Sequence, residues 1–358
     1  MAMIDPYGSR LYKDYEKVMK DFGLEQLPDL PEENRLMRRG VVFASRDLKP
    51  VVKAMEERKP FYVLTGIMPT SERIHLGNKM VVENVAYFQK HGAQTYILVA
   101  DLEAATARGV SLEEAKKRAM DFHIPSYIAL GLDPKKTTFY FQSENSNVIN
   151  FAYEAAKKIT LNEFKAVYGS ADPGRIMAAV TQVGDILFPQ FEERMPGVIP
   201  VGIDQDPHIR LTRDVVNRMK DRKFFSPAAI YNKFTPSLDG ELKMSKSRPH
   251  TCIELPDDPK KVCKKIMRAL TGGRESVEVQ RKKGGIPEDC MIFELYKQHL
   301  IEDDKELQKI HDDCKAGKLL CGEDKQHCCE LMERYMKKLK KDIEAARKNV
   351  DKLNFIRF

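Results

Sequence analysis

The sequence contains no tryptophan. That absence says nothing about ligands, because a pocket need not contain what it binds. No apolar run approaches the about 20 residues that a membrane span needs. The stretch from Met1 to Val18 has mixed polarity and lacks the apolar core of an export signal. A cytoplasmic location without a membrane partner is therefore expected. Cysteine is sparse and odd in number, seven in 358 residues, which points to reduced thiols or ligands and away from disulfides. Internal repeats, low-complexity linkers and a Walker phosphate loop are all missing. The excess of one charge is mild, +7 net, too little by itself to imply nucleic acid. It is unevenly placed: Leu331 to Phe358 holds nine Lys/Arg against four Asp/Glu, or +5 of the +7. A basic helical end can meet a phosphate backbone; a solvated helix face explains the charge run equally simply.

What is present is a globular balance, 42% hydrophobic and 32% charged, in a chain long enough for two domains. Tyr12 to Phe22 has helical spacing, and Pro28 and Pro31 break it. Ser45 reads as the N-cap of a helix through Met55. The pattern then alternates. Short buried strands are expected at Phe61–Leu64, Thr95–Ala100, Thr138–Phe141 and Val198–Gly202. Helices are expected at Asn78–Lys90, Ser111–Leu130 with a break at Pro125, Asn150–Ile159, Arg175–Leu187 and His208–Met219. This alternation predicts an α/β fold, a doubly wound parallel sheet with helices on both faces. From about Asp257 strand signals stop, and Pro259–Leu270, Glu288–Leu300, Asp304–Ala316 and Asp324–Lys348 read as helices. The expected division is residues 1–58 as an N-terminal helical appendage, 59–254 as the α/β catalytic domain and 255–358 as an all-helical domain.

Two segments carry chemistry. Pro69-Thr70-Ser71-Glu72-Arg73-Ile74-His75-Leu76-Gly77-Asn78 lies between the first strand and its helix, where doubly wound sheets bind ligands and helix N-termini favour anions. His75 and Asn78 can donate to phosphate oxygens, and Gly77 would let a purine or phosphate approach the backbone. Far downstream, after the Asp239-Gly240 turn, comes Lys243-Met244-Ser245-Lys246-Ser247. Two lysines and two hydroxyls in five residues suit a loop that clamps a triphosphate, since nucleotidyl transfer needs charge stabilisation. A four-residue turn alone is a weak signal; the ordered pair is specific.

In kind, order and spacing the pair resembles the two signature segments of class I aminoacyl-tRNA synthetases, whose catalytic domain is Rossmann-type. Asn78 stands where many members have a second His, as it often does in the tryptophanyl branch. Gly202-Ile203-Asp204-Gln205-Asp206-Pro207-His208 resembles the G-x-D-Q segment of tyrosyl and tryptophanyl enzymes, in its archaeal and eukaryotic tryptophanyl form. Arg38-Arg39-Gly40 with Ser45-Arg46-Asp47, Lys59-Pro60-Phe61-Tyr62, the segment Gly272 to Gly285 and the segment Gly317 to Glu323 are similar to that branch too, so the resemblance spans about residues 35 to 330. It implies activation of L-tryptophan by ATP with Mg2+ and transfer to tRNA(Trp), by a homodimer whose helical domain reads the anticodon. It assigns His75, Asn78, Lys243 and Lys246 to catalysis. It assigns ATP binding to these four together with Pro69, Thr70, Gly77, Gly202, Asp204, Met244, Ser245 and Ser247.

For the amino acid the resemblance implies Leu64, Glu103, Gln182, Asp185 and Gln205. Leu64 offers no hydroxyl and Ala178 leaves room, which favours indole over phenol. Leu98 departs from the Gln common in the branch. Asp185 and Glu103 both qualify as acceptor of the indole N–H, and the sequence does not choose between them. Some members hold a four-iron cluster on four cysteines; here the similar spacing carries Cys290, Cys314, Cys321 and, at the fourth position, Asp324. Three alternatives stay open at this point: a tyrosyl enzyme, a small-substrate nucleotidyltransferase sharing the first turn, and a synthetase-like RNA-binding protein without catalysis.

Overall fold

Runs of β-branched and aromatic residues set the sheet. A computed structural model describes residues 14–169, 172–241 and 243–357. The first two residues of the expected Tyr12–Phe22 helix lie outside them; the described part is helical over Tyr15–Phe22. The strands are β1 Val42–Arg46, β2 Tyr62–Ile67, β3 Ile74–His75, β4 Gln94–Val99, β5 Thr137–Phe141, β6 Gly197–Gly202, β7 Ala228–Asn232 and β8 Glu254–Leu255. Among the described residues, six of them form one sheet in the order β1-β7-β6-β2-β4-β5, while β3 pairs with β8. From β7 to β5 the strands run parallel, and β1 is antiparallel to β7. The α/β class is as expected, with one antiparallel edge strand added.

Ser45 does not cap a helix. It sits in β1, where its backbone pairs with Glu25 and its hydroxyl donates to the carbonyl of Gln26. The following helix runs Lys49–Glu56 without a side-chain cap. Pro125 interrupts its helix as expected. The break takes the form of a π-helical turn at Ala119–His123 before the helix Ile124–Ala129, which accommodates the missing proline N–H.

The strand order places the functional crevice. From β2 the chain moves outward through β4 to β5, then returns to β6 on the other side of β2. The reversal lies between β2 and β6, and their carboxyl ends flank the crevice where such sheets bind ligands.

The C-terminal part is helical: Pro259–Met267, Val277–Lys283, Met291–Leu295, Asp304–Lys315 and Cys321–Arg347. Asp258, Ser276 and Asp303 cap three of these through their side chains. The long helix Cys321–Arg347 buries Met332, Met336, Leu339 and Ile343 and turns Lys337 and Lys338 to solvent. It is bonded to its neighbour by a disulfide between Cys263 and Cys329, with Cα atoms 5.0 Å apart. This corrects the expectation of reduced thiols throughout: two helices 66 residues apart in sequence pack so that these side chains face each other, which spacing alone does not reveal. The N-terminal segment is tied to the helical part by Arg35, which bonds Glu83, Glu302 and the carbonyl of Gln298. At the far end Phe139 donates its N–H to the carbonyl of Asn354, and Ile356 donates to that of Phe139. Phe355 stacks on Phe141. The C-terminal segment thereby pairs with the edge of β5 through an isolated bridge.

Candidate active site

The crevice opens into a cavity of about 1150 Å3. That exceeds the roughly 300–1,000 Å3 usual for one small ligand and suits a nucleotide beside an amino acid. Thr70, His75, Asn78, Gly202, Lys243, Ser245, Lys246 and Ser247 line it, as do Leu64, Glu103, Gln182 and Gln205. The two signature segments, far apart in the sequence, thus meet on one cavity.

His75 is the N-cap of the helix Leu76–Lys90. Its Nδ1 accepts from the Gly77 N–H at 3.0 Å, and its own N–H donates to Asn78 Oδ1 at 3.0 Å. Burial, then the charges of Lys246 and Lys243, push the imidazole pKa down to about 4, so the ring is neutral at pH 7. With Nδ1 accepting, the ring proton belongs on Nε2. Asn78 is fixed likewise: its oxygen is engaged, which leaves its NH2 to donate. Two neutral donors are preorganised at a helix N-terminus, the arrangement phosphate oxygens need. Gly77 does not line the cavity. A Cβ there would stand 2.8 Å from His75 Cε1, so this glycine makes room for the imidazole.

Lys246 reaches from its loop to the first segment, donating to Ser71 Oγ at 2.6 Å and to the carbonyl of Arg73. Lys243 pairs with Asp204 Oδ2 at 2.8 Å and lies over the Phe234 ring. Asp204 is therefore at the site through Lys243. Gly202 allows the close approach, since a Cβ would be 2.5 Å from Asp204 Oδ1. Met244 is buried away from the cavity, its sulfur accepting from the Ile253 N–H. Pro69 lies in the segment but does not line the cavity.

The two indole acceptors expected from the sequence differ in their placement. Glu103 lines the cavity, and burial alone pushes its carboxyl up to about 7. Asp185 is fully buried behind the wall, where it accepts from the Tyr140 hydroxyl at 2.9 Å and from Gln142 Nε2 at 2.5 Å. Gln142, Ser71, Arg108, His123 and Arg248 also line the cavity, and sequence reasoning missed their roles. Gln142 directly follows β5 and Arg108 lies on the helix after β4, so the rule of carboxyl strand ends could have found both. His123 comes from the π-helical turn and bonds the carbonyl of Ser71 at 2.6 Å, which no local pattern announces.

The cysteine set is brought near together but not into a ligand shell. Gln280 donates to Cys321 Sγ at 3.3 Å, so an amide already occupies that thiol. Burial pushes the Cys314 thiol up to about 11 and raises Cys290 and Asp324 as well. Among the described residues no three His, Cys, Asp or Glu are grouped to hold a metal. The expected four-iron site does not fit these residues.

Fold and site together define a class I synthetase. The family model for class I tRNA synthetases (W and Y) matches residues 55–337, and the chain belongs to that family. Within it, the tryptophan--tRNA ligase of Methanocaldococcus jannaschii is 43% identical over 356 residues, covering 96% of each chain. That of Aeropyrum pernix is 41% identical over 96% of this chain and 95% of its own. The crystal structure of a tryptophanyl-tRNA synthetase from Aeropyrum pernix matches with a TM-score of 0.91 at 39% identity, covering 99% of both chains. One from Encephalitozoon cuniculi bound to tryptophan matches at 0.85 and 25% identity, over 97% and 98%. No helix among the described residues is long and apolar enough to cross a membrane.

Proposed function

We propose that this chain activates L-tryptophan with ATP and transfers it to tRNA(Trp), the reaction of a tryptophan--tRNA ligase. The observation that carries it is the meeting of His75, Asn78, Lys243 and Lys246 on one cavity, in a chain similar over nearly its whole length to tryptophan--tRNA ligases. ATP enters as its magnesium complex. A tryptophan carboxylate oxygen attacks the α-phosphorus in line, the bond to the β-phosphate breaks, and pyrophosphate leaves. A hydroxyl of the terminal tRNA ribose then attacks the acyl carbon of the adenylate, and AMP departs. His75 and Asn78 donate to phosphate oxygens, while Lys243 and Lys246 balance the charge that builds on the phosphates. Gly202 and Asp204 hold the ribose and Gln205 the ammonium. No side-chain nucleophile takes part.

The same reading makes residues 255–358 the anticodon-binding part and the exposed lysines of the helix Cys321–Arg347 its phosphate contacts. It makes the active species a cytoplasmic homodimer. The test is ATP–pyrophosphate exchange with tryptophan and tyrosine side by side. Exchange with tryptophan alone is expected. Exchange with tyrosine alone makes this a tyrosyl enzyme, and none with either favours a synthetase-like RNA-binding protein. Iron assay after anaerobic purification is expected to read zero.

A further inference from the structure

The cavity wall contains an acceptor that nothing in the fold satisfies. Gln142 is 1% exposed. Its Nε2 donates to Asp185 Oδ2, and the other oxygen of that carboxylate accepts the single proton of the Tyr140 hydroxyl. Both donors converge on the Asp185 carboxylate. The nitrogen faces Asp185, and Oε1 is left shielded from water without a hydrogen-bond partner. The loop after β5 that carries Gln142 is itself pinned, because Asp101 accepts from both the N–H and the hydroxyl of Ser143. A buried acceptor left unpaired is disfavoured, and such a group calls for a partner that the fold does not supply.

The surroundings name the ligand's chemistry. Leu64, Leu98 and Ile186 line the same cavity as Gln142, apolar side chains that themselves offer no donor. An indole has one N–H to donate and nothing to accept with, which complements this wall. A phenol oxygen would leave its lone pairs unserved there. Glu103, the other candidate, has no hydrogen bond or ion pair holding it among the described residues.

We infer that Gln142 Oε1 accepts the indole N–H of tryptophan, and that Asp185 is the positioning residue that aims it. This rests on tryptophan being the substrate and replaces both acceptors read from the sequence. The test is the ratio of kcat/KM in pyrophosphate exchange for tryptophan over β-(3-benzothienyl)alanine, in which sulfur replaces the N–H. Because both amino acids are measured on the same preparation, the ratio does not depend on the fraction of enzyme folded. Gln142→Leu is expected to lower the ratio roughly tenfold, the size of one lost neutral hydrogen bond, with the KM for ATP unchanged. Asp185→Asn is expected to lower it too, because an asparagine can turn the amide of Gln142 around, and the change falls on the tryptophan KM more than on kcat. A wild-type ratio in Gln142→Leu overturns the assignment, and a wild-type ratio in Asp185→Asn overturns the positioning role. A ratio that collapses only in Glu103→Gln moves the contact to Glu103. Wild-type enzyme that exchanges with tyrosine and not tryptophan instead overturns the functional reading beneath it.

Discussion

His75 divides its work between two nitrogens, and Gly77 makes that possible. One nitrogen accepts the Gly77 N–H in the first turn of the helix, which fixes the tautomer; the other is left as a donor. Gly77→Ala adds a methyl 2.8 Å from the imidazole at a position where alanine is otherwise the better helix former. The variant is expected to keep its melting temperature and lose roughly tenfold or more in exchange kcat, because the ring has to turn. A variant with full activity would show that the imidazole orientation does not matter. Lys246 makes a different prediction. It is drawn across to Ser71 and Arg73 and takes no part in the amino-acid end. Lys246→Ala is expected to slow exchange by about 10²-fold, the scale of one lost oxyanion donor, while calorimetry shows tryptophan binding nearly unchanged. Equal loss of both would remove it from the phosphate clamp.

At the scale of elements, legibility followed apolar content. The interior strands β2, β4, β5 and β6 announce themselves as short runs of aromatic and aliphatic residues, and the long C-terminal helices by their spacing. Strands β1 and β7 did not. Ala228–Asn232 is fully buried but alanine-rich, and only its pairing with β6 and β1 makes it a strand. Ser45 looked like a cap because its hydroxyl favours local backbone bonds; Glu25 and Gln26, supplied by a distant loop, won it for the sheet. The signature residues of the site were legible because they lie in short segments. Gln142 was legible in position, at a strand's carboxyl end, but not in its pairing with Asp185, 43 positions on; His123 was legible in neither, because its partner Ser71 lies 52 positions away. The disulfide belongs here as well. It closes a loop of 66 residues, so Cys263→Ser or reduction is expected to lower unfolding free energy by about 2–4 kcal/mol, read from the denaturant midpoint. Exchange activity at 25 °C should be unaffected, since the bond joins two helices outside the cavity lining. A midpoint that ignores reductant would mean that the helices hold each other without it.

For the whole molecule, the buried titrating groups set how stability depends on pH, and they pull in two directions. His75, His123, His208 and His299 are all pushed below the ordinary histidine range by burial, the first two to about 4 and the third to about 3. Unfolded, they take up protons below about pH 6.5; folded, they do not until near pH 4. Stability from these groups is therefore present above pH 6.5 and is lost as pH falls toward 4. Glu103 and Asp185 run the other way, both raised to about 7 by burial, so the fold holds their protons where the unfolded chain releases them, and acid stabilises. Between pH 7 and 5 four histidines outweigh two carboxyls, because each group changes stability by about 1.4 kcal/mol for every pH unit over which only one of the two states holds its proton. A net loss of a few kcal/mol is expected over that interval, read as a lower urea midpoint at pH 5 than at pH 7. The carboxyls should also be visible separately. Removing one of them in Glu103→Gln takes away stabilisation that exists only on the acid side, so the variant should lose more stability between pH 7 and 5 than the wild type. A midpoint that rises on acidification would mean that the histidines are protonated inside the fold, and with them the neutral donor at His75 on which the phosphate site depends.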